Sequence, residues 1–390
     1  MNLRQLGFVW PMSSRTGWGV FGLNLALQLA ARRIAAIPFI EPLDLELSAV
    51  QAAAIEPALR RGREAAALLP PEPGRVFSCL YPVLHALGNG FTTTSVSRRI
   101  EGSPDIGMVF MEDAAITNEI RRRAERYRLV LAGSGWNAEI LRAGGIGHVT
   151  ACPQGVDLQL FDPDGPARSF DGRFTLFSGG KLEYRKGQDI VIAAFRRLLE
   201  HDPDALLAAA WHNYWPDPEP WPSPHIEGLP EAGPDRRLRL TEWVVANGIP
   251  ERNFLDLGAP ANTGMAAILR GASAGLFPNR AEGGTNLVAM EALAAGLPSV
   301  LSANTGHLDL IRDGACIALE RQGECKPFGS FGTVAGWGET DPEEAADALI
   351  RLHDDCAAAE TMGRRASRMM ETWSWGDRVD AIVEAVEQVV

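Results

Sequence analysis

The chain has 390 residues, which is too long for one ordinary hydrophobic core and suits two α/β domains of roughly 150 to 200 residues each. Its hydrophobic fraction of 46% and charged fraction of 22% are typical of a folded globular protein and exclude intrinsic disorder. Its formal net charge of −12 argues against a general nucleic-acid binder, whose surface would be basic.

The sequence shows no segment that would take the chain into or across a membrane. No apolar run reaches the roughly 20 residues that span a bilayer, and no signal peptide is recognisable. We therefore expect a cytoplasmic location. Five scattered cysteines without a CxxC pair also argue against a structural zinc site and against a disulfide framework.

In the N-terminal half, short apolar segments alternate with helical patterns. The predicted strands cover residues 6–10, 34–40, 106–110, 129–132 and 149–152. A first predicted helix ends near Leu29, and two further helices cover residues 118–128 and 135–143. The segment PQGVDLQLFDP, residues 153–163, is predicted to link two domains.

The C-terminal half repeats this alternation. The predicted strands cover residues 174–178, 205–211, 254–257, 274–278 and 299–302, and the predicted helices cover 188–199, 238–247, 264–271 and 287–295. Strands that alternate with helices of about ten residues predict parallel sheets covered on both faces. We therefore predict an α/β protein with two Rossmann-like, doubly wound domains, residues 1–163 and 164–372. A terminal helix within 373–390 is expected to pack back toward the N-terminal domain.

The strongest functional signal is the segment AEGGTNLVAMEALAAGLPSVLS, residues 281–302, which follows a predicted buried strand. Its two glycines permit close approach of the backbone to a ligand, and Thr285 and Asn286 can cap the helix that begins near Leu287. The free amides and the positive dipole end at such a helix start suit a phosphate group.

Two glutamates accompany this loop. Glu282, before the loop, could contact hydroxyls of a bound sugar, and Glu291, one turn into the helix, could reach the hydroxyls of a ribose. The alternative is an ordinary capped helix with two solvated glutamates.

A second segment, FSGGKLEYRKGQ, residues 177–188, brings two lysines to the end of another predicted strand. The chain contains only three lysines, Lys181, Lys186 and Lys326. Cleavage of a sugar–phosphate bond leaves a nucleoside diphosphate with additional negative charge, and two fixed cations would stabilise that transition state more than the ground state. A solvated basic loop is the alternative.

The N-terminal loop SSRTGWG, residues 13–19, lies between the first predicted strand and the first predicted helix. Gly17, Gly19 and Gly22 follow the GxGxxG spacing, and Glu41 lies about twenty residues further on, as the dinucleotide-binding pattern requires. A glycine loop at this place could hold a pyrophosphate. Plain packing of the helix is the main alternative, and a dehydrogenase is a more distant one.

Polar and aromatic residues at other strand ends are further candidates. Glu112 and Asp113 could position an acceptor hydroxyl, with structural hydrogen bonding as the alternative. Trp211, His212 and Asn213 could line a nucleotide pocket, whereas a metal-ligand role for His212 is disfavoured because no second ligand lies nearby in sequence. The arginine-rich run within 121–128 is best explained as a solvated helix face, and contact with anionic lipid or an acidic glycan is the alternative.

Together these segments resemble the family 4 retaining glycosyltransferases. The glutamate pair is similar to the family's Glu-x7-Glu signature, and residues Gly180 to Gly187 are similar to its Gly-Arg-x4-Lys-Gly pattern. Residues 133–163 resemble the end of the family's N-terminal domain. Residues 257–314 resemble its donor-site core, and the ending TWSWGDRV resembles its closing helix. The likeness spans most of the chain.

The resemblance implies the GT-B fold, in which two domains face a central cleft, and a nucleotide-sugar donor whose anomeric configuration is retained. It implies no bound metal and no other cofactor, and a sugar, glycan or lipid-linked acceptor. Lys181, Lys186 and Glu282 are the expected catalytic residues. The expected donor-binding residues are Gly180, Trp211, His212, Asn213, Gly283, Gly284, Thr285, Asn286, Leu287 and Glu291. The resemblance also implies that Gly17, Trp18, Gly19, Glu112 and Asp113 face the donor phosphates or the acceptor.

Two departures from the family pattern are visible. Eight residues rather than seven separate Glu282 from Glu291, which leaves the role of Glu282 open. Lys181 replaces the usual arginine, which keeps the charge but loses bidentate geometry. A nucleotide-sugar epimerase of the same shape and a non-catalytic nucleotide-sugar-binding protein remain alternatives.

Overall fold

The structure is a computed structural model that describes residues 3–70, 74–213, 220–234, 237–312, 314–328 and 333–390. The chain divides into two compact units. The N-terminal unit comprises Met1–Gly155, Ala261–Thr263 and Trp373–Val390, and the C-terminal unit comprises Val156–Pro260 and Gly264–Thr372. The segment predicted as a linker, residues 153–163, contains the boundary at residues 155 and 156.

The N-terminal unit is built on a parallel sheet. Its strands are β1 (Gln5–Val9), β2 (Ala35–Pro38), β3 (Phe77–Ser78), β4 (Val83–Leu87), β5 (Ile100–Glu101), β6 (Asp105–Val109), β7 (Leu129–Ala132) and β8 (Val149–Ala151). The six-stranded sheet has the order β2-β1-β4-β6-β7-β8, and β3 pairs with β5. Strands β6 and β7 are buried along their whole length, as parallel strands covered on both faces are. Pro38 is tolerated because β2 is an edge strand.

Four helices precede the domain boundary in the described part of this unit. They are α1 (Gly17–Ala31), α2 (Ala49–Ala67), α3 (Asn118–Ala124) and α4 (Gly135–Ala143). Thr16 begins α1, because its hydroxyl accepts a hydrogen bond from the N–H of Gly19 at 3.2 Å. Helix α3 ends earlier than the predicted residue 128, because the chain turns there to bond the N–H of Arg128 to the carbonyl of Asp105 at 2.9 Å.

The C-terminal unit contains a second parallel sheet. Its strands are β9 (Thr175–Gly179), β10 (Leu206–Ala210), β11 (Phe254–Asp256), β12 (Ala274–Phe277), β13 (Ser299–Ser302), β14 (Ile317–Leu319), β15 (Gln322–Gly323) and β16 (Glu339–Thr340). The six-stranded sheet has the order β11-β10-β9-β12-β13-β14, and β15 pairs with β16 in antiparallel orientation. The two parallel sheets confirm the predicted fold class.

The helices that follow in the chain are α5 (Gln188–His201), α6 (Leu240–Ala246), α7 (Asn262–Gly271), α8 (Leu287–Ala294), α9 (Pro342–Asp354) and α10 (Cys356–Met370). The last helix, α11 (Trp375–Glu387), belongs to the N-terminal unit and contacts α1. The rings of Phe21 and Trp375 stack with centroids 5.9 Å apart, and Arg32 donates to Asp380 at 2.5 Å. Among the described residues, no helix is both long and apolar enough to cross a bilayer.

We expect Trp375→Ala to destabilise the N-terminal unit by about 3–5 kcal/mol, because the buried indole packs α11 against α1. Urea unfolding followed by far-UV circular dichroism measures the loss. Val390→Ala is the control, because its side chain is 48% exposed and its removal should change stability by no more than about 0.5 kcal/mol. Equal effects of the two substitutions would contradict the role of α11 in this unit.

Candidate functional site

The C-terminal sheet reverses its strand order between β9 and β12. The strands that directly follow β9 extend the sheet on one side, whereas β12, β13 and β14 extend it on the other. Ligands of open α/β sheets bind outside the carboxyl ends of the strands at such a switch point. The loop after β9 carries Lys181 and Lys186, and the loop after β12 carries Glu282. The two strongest sequence motifs therefore leave the sheet at the same edge.

Glu282 is the centre of a buried charged cluster at this edge. Its carboxylate accepts hydrogen bonds from the Lys186 ammonium, from the Asn279 amide and from the Arg185 guanidinium, the last at 3.2 Å. Its backbone N–H donates to the hydroxyl of Thr305 at 2.8 Å. The side chains of Glu282 and Lys186 are only 7% and 11% exposed. The carboxylate thus fixes two cations directly before α8.

Attraction between opposite charges keeps the carboxylates of this cluster ionised. Burial raises the pKa of Glu282, but the charges of Lys186 and Arg185 outweigh it and hold this pKa at about 2. Burial also disfavours the charged form of Glu183, yet Arg185, Lys181 and Lys186 lower its pKa. Burial lowers the pKa of Lys186, with Arg185 adding to the effect and Glu282 opposing it. Within this cluster the three cations Lys181, Arg185 and Lys186 face the two carboxylates Glu183 and Glu282. This local excess of positive charge favours an anionic ligand.

The loop after β13 presses against the loop that precedes α8. A Cβ added to Gly306 would lie 1.6 Å from the carbonyl oxygen of Gly284, so only glycine fits there. The N–H of Gly306 donates to the carbonyl of Glu282 at 2.9 Å. This close approach holds the backbone of the glycine loop at the start of α8.

His307, which follows in this loop, is completely buried and neutral. Its Nε2 lies 3.0 Å from the amide nitrogen of Asn286, which can only donate, so Nε2 accepts. Its Nδ1 therefore carries the proton and faces two oxygens of Ser302, the hydroxyl at 3.0 Å and the carbonyl at 3.3 Å. Burial lowers the pKa of His307 from 6.5 to about 4. The imidazole thereby orients Asn286, whose φ of 59° is left-handed and which begins α8.

The side chain of Arg280 connects the loop after β12 with the loop after β9. Its guanidinium forms a bidentate pair with Asp189 at 2.9 and 2.7 Å and donates twice to Glu339 at 2.6 Å. A further bond of 2.6 Å reaches the carbonyl of Tyr184, whose ring lies 4.0 Å from the guanidinium carbon. These bonds use all five N–H donors of the side chain. The backbone N–H of Arg280 donates to the carbonyl of Arg185 at 2.7 Å.

The two predicted lysines differ in their burial and in their carboxylate partners. Lys186 belongs to the buried cluster, whereas the side chain of Lys181 is 44% exposed and pairs with Glu183 at 3.1 Å. Glu183 also accepts from Arg185 at 2.9 Å, so it links Lys181 to the cluster. Gly180, with a φ of 127°, lies against the stem of Lys186, and an added Cβ would be 3.6 Å from Lys186 Cδ.

The predicted residues around α8 differ in their exposure and in their hydrogen-bond partners. Asn286 is the N-cap of α8, as predicted, and its side chain accepts from the N–H of Ala289. Thr285 is buried, and its hydroxyl donates to the sulfur of Met290 at 2.9 Å. Leu287 is half-buried, and Glu291 is 4% exposed. Gly283 and Gly284 are buried in the loop between Glu282 and α8.

The predicted residues at the end of β10 divide into a core residue and two rim residues. The indole of Trp211 has no exposed surface and donates to the hydroxyl of Ser178 at 3.0 Å, so it supports β10 and β9 from within the core. His212 pairs with Asp256 at 2.9 Å and is half-buried. Asn213 donates to the carbonyl of Leu182 at 3.4 Å.

The N-terminal candidates lie at the equivalent edge of the other sheet. Gly17 is exposed, and Trp18 is half-buried with its ring edge-on to Phe110 at 4.6 Å. A Cβ added to Gly19 would lie 2.3 Å from the Cβ of Ser13, so this glycine is needed for packing between loop and helix.

The acidic pair at the end of β6 has hydrogen-bond partners within the unit. Glu112 accepts from the amide of Asn89 at 2.8 Å, and Asp113 accepts from the N–H of Ala115 at 2.8 Å. Both residues are half-buried.

The sequence does not single out Arg185, Asn279, Arg280, Thr305 or His307. Arg185 lies within the motif 177–188 and Asn279 lies two residues before the motif 281–302, so proximity in sequence is the available signal. Thr305 and His307 follow β13, a predicted strand beside β12, and polar residues after that strand could have been assigned to the same edge. The role of Arg280 depends on partners far away in sequence.

Comparison with solved structures assigns the fold to the GT-B class of glycosyltransferases. Sucrose-phosphate synthase from Thermosynechococcus elongatus superposes with a TM-score of 0.63 at 15% identity, over 99% of both chains. The Anabaena protein HepE, solved in complex with UDP-glucose, gives a TM-score of 0.62 at 13% identity, over 98% of this chain and 99% of that chain. At such identities the similarity establishes the fold alone.

The sequence places the chain within one family of that class. Residues 148–382 match the family described as Family 4 Glycosyltransferase in conflict systems, and because this is more than half of the chain, the chain belongs to that family. A D-inositol 3-phosphate glycosyltransferase of Mycobacterium tuberculosis is 29% identical over 246 residues, which are 60% of this chain. The match spans 43% of that relative, so the chain accounts for less than half of its length. The resemblance to family 4 is thereby confirmed.

We expect Arg280→Met to destabilise the C-terminal unit by about 3–5 kcal/mol, because it leaves the buried carboxylate of Asp189 without its cation. Urea unfolding measures the effect. Arg197→Met is the matched control, since Arg197 pairs with Glu343 at the exposed surface and its loss should leave the midpoint close to that of the wild type. Unchanged stability of the Arg280 variant would show that the buried pair does not hold the loops.

We expect stability to fall as the pH drops from about 6.5 to about 4, because the folded protein keeps His307 neutral while the unfolded chain protonates it. This residue should account for about 3 kcal/mol over that interval. Below pH 4, protonation of Glu282 lowers the stability further as the pH approaches 2. Urea midpoints at several pH values measure the slope, which should become flatter in His307→Gln and stay unchanged in His148→Gln. A slope unchanged by His307→Gln would refute the assignment.

Proposed function

We propose that the chain is a retaining glycosyltransferase that moves a sugar from a nucleotide-diphosphate donor to a hydroxyl acceptor without a metal ion. The observation that carries this proposal is the buried contact of Lys186 with Glu282 directly before α8, at the switch point of the C-terminal sheet. Family membership supports the same reaction class.

The positive cluster is proposed to hold the diphosphate of the donor. Lys186 and Lys181 supply ammonium groups, and the first-turn amides of α8 supply donors that have no partner within the helix. Negative charge grows on the leaving diphosphate as its bond to C1 of the sugar breaks, so fixed positive charge stabilises the transition state more than the bound donor.

Glu282 is proposed to have two successive roles. Without a ligand it neutralises Lys186 and keeps the ammonium at the mouth of the glycine loop. A diphosphate competes for that ammonium, and the carboxylate then becomes available to accept hydrogen bonds from hydroxyls of the transferred sugar. Glu291, in the second turn of α8, is proposed to bind the ribose.

The acceptor is proposed to be a sugar, a glycan or a lipid-linked hydroxyl, and Gly17, Trp18 and Glu112 of the N-terminal unit are proposed to bind it. Its oxygen bonds to C1 on the face from which the diphosphate departs, and its proton leaves with the diphosphate. The configuration at C1 is therefore retained.

The donor can be tested first with UDP and UDP-glucose, because HepE was solved with UDP-glucose. A ligand at 100 times its dissociation constant adds about 2.7 kcal/mol to stability, which a thermal-shift assay detects. GDP-mannose and ADP-glucose complete the panel. Failure of every nucleotide to shift the transition would contradict a donor site in this unit.

We expect Lys186→Met to lower turnover by about 10² to 10³, comparable to the loss of an oxyanion-hole donor, while the substituted side chain keeps its volume. Sugar transfer with the donor identified above gives kcat and KM. Lys326→Met is the matched control, because Lys326 is the third lysine and is exposed. Unchanged kcat in Lys186→Met would overturn the proposed role of this ammonium.

Product analysis separates the alternative functions. A transferase forms a glycoside whose anomeric configuration equals that of the donor, as proton NMR of the product shows. An epimerase would instead alter the sugar and release nucleotide without needing an acceptor. Donor binding with neither transfer nor hydrolysis would identify a binding protein.

A further inference from the structure

Two histidines and two aspartates meet where α5 and α9 end. His201 is the last residue of α5 and Asp202 follows it, while His353 and Asp354 are the last two residues of α9. The two helices pack against each other in the C-terminal unit. The four side chains therefore project from the ends of two rigid, mutually supported elements, which is the setting that a precise binding site requires.

The contacts within this group are short. Asp354 Oδ1 accepts from His201 Nε2 at 2.8 Å and from His353 Nδ1 at 2.9 Å. The ligand atoms of His201, His353 and Asp354 all lie within 4.8 Å of one another. On its other side, His353 Nε2 lies 3.5 Å from an oxygen of Asp202. The imidazole of His353 thus stands between two carboxylates.

A neutral imidazole between these two carboxylates makes one unfavourable contact. If neutral His353 donates from Nδ1 to Asp354, its Nε2 turns a lone pair toward the carboxylate of Asp202. A divalent cation on Nδ1 reverses the tautomer: Nδ1 then donates its lone pair to the metal, and Nε2–H faces Asp202. That is the carboxylate–histidine–metal arrangement that orients ligands in metalloproteins. The cation also neutralises the two carboxylates.

We propose that His201, His353 and Asp354 bind a divalent transition metal, with Asp202 orienting His353. Two imidazole nitrogens and one carboxylate oxygen form a donor set that suits Zn²⁺ and is poor for Mg²⁺ or Ca²⁺, which prefer oxygen. Side-chain exposures of 38% for His201 and 53% for Asp354 leave room for water as a further ligand.

The site is separate from the charged cluster of the proposed transferase function. Helix α5 begins next to Lys186 and, with 14 residues, carries His201 roughly 20 Å away along its axis. A metal there would join the ends of α5 and α9 and stabilise their packing. It leaves the proposed metal-independent transfer unaffected.

The experiment uses the full chain without a histidine tag. A Cys356→Ser background removes the exposed thiol that follows α9 as a competing ligand. Titration with Zn²⁺ by calorimetry should give one site per chain and raise the thermal transition. Co²⁺ should produce the visible absorption of a metal with nitrogen and oxygen ligands, whereas Mg²⁺ should bind no better to this protein than to the variants below.

Three variants test the ligand assignment. His201→Ala and His353→Ala should each lower Zn²⁺ affinity by at least about 100-fold, and Asp202→Asn should lower it by about 10- to 100-fold. His148→Gln, in the other unit, should bind as the background does. Circular dichroism before titration confirms that each variant is folded. Absence of Zn²⁺ binding to the background protein, or an affinity of either alanine variant equal to that of the background protein, would overturn the proposal.

Discussion

The arrangement of the C-terminal site depends on the buried guanidinium of Arg280. Burial of a charge is costly unless it is paired and hydrogen-bonded, and here every donor of the fork is used. The bidentate pair with Asp189 fixes the start of α5, and the bond to the Tyr184 carbonyl fixes the loop after β9. Because Arg280 itself lies in the loop after β12, one side chain determines how the loops after β9 and β12 lie relative to each other. The bonds to Glu339 extend the same constraint to β16.

Because the Arg280 network holds the two loops in place, charged groups of these loops can lie close together. Lys186 and Arg185 would repel each other if they were merely neighbours in a flexible loop. Held against Glu282, they form a compact cluster in which Coulomb attraction outweighs the cost of burial, as the pKa of about 2 for the carboxylate shows. The neutral imidazole of His307 adds no charge to this crowded place and still orients Asn286 at the start of α8. Fixed charge, rather than helix geometry alone, defines the site.

The sequence predicts the sheets and the central motifs well, because both depend on local patterns. Apolar runs predict β9, β12 and β13, and the order of strand, glycine loop and helix predicts that Glu282 and Lys186 each follow the end of a strand. Helix α2 was not predicted, because Pro57 and Gly62 interrupt its pattern and are accommodated by its packing on β2. Strand β4 was not predicted either, since it buries His85, whose partners Ser97 and Asp105 become adjacent only in the folded unit. Partners far apart in sequence, such as those of Arg280, leave no local pattern.

The choice of cation at each position follows from what that position must do. Arg280 has to stay in place, and the planar guanidinium, which keeps its proton even when buried, can saturate two carboxylates and a carbonyl at once. Lys186 has the opposite requirement under the proposed function, because it must leave Glu282 when a diphosphate arrives. A compact ammonium on a flexible stem can make that exchange with little loss of directed hydrogen bonding, whereas a bidentate guanidinium pair would resist it. The rarity of lysine in this chain and its concentration after β9 are consistent with that division between a structural and an exchangeable cation.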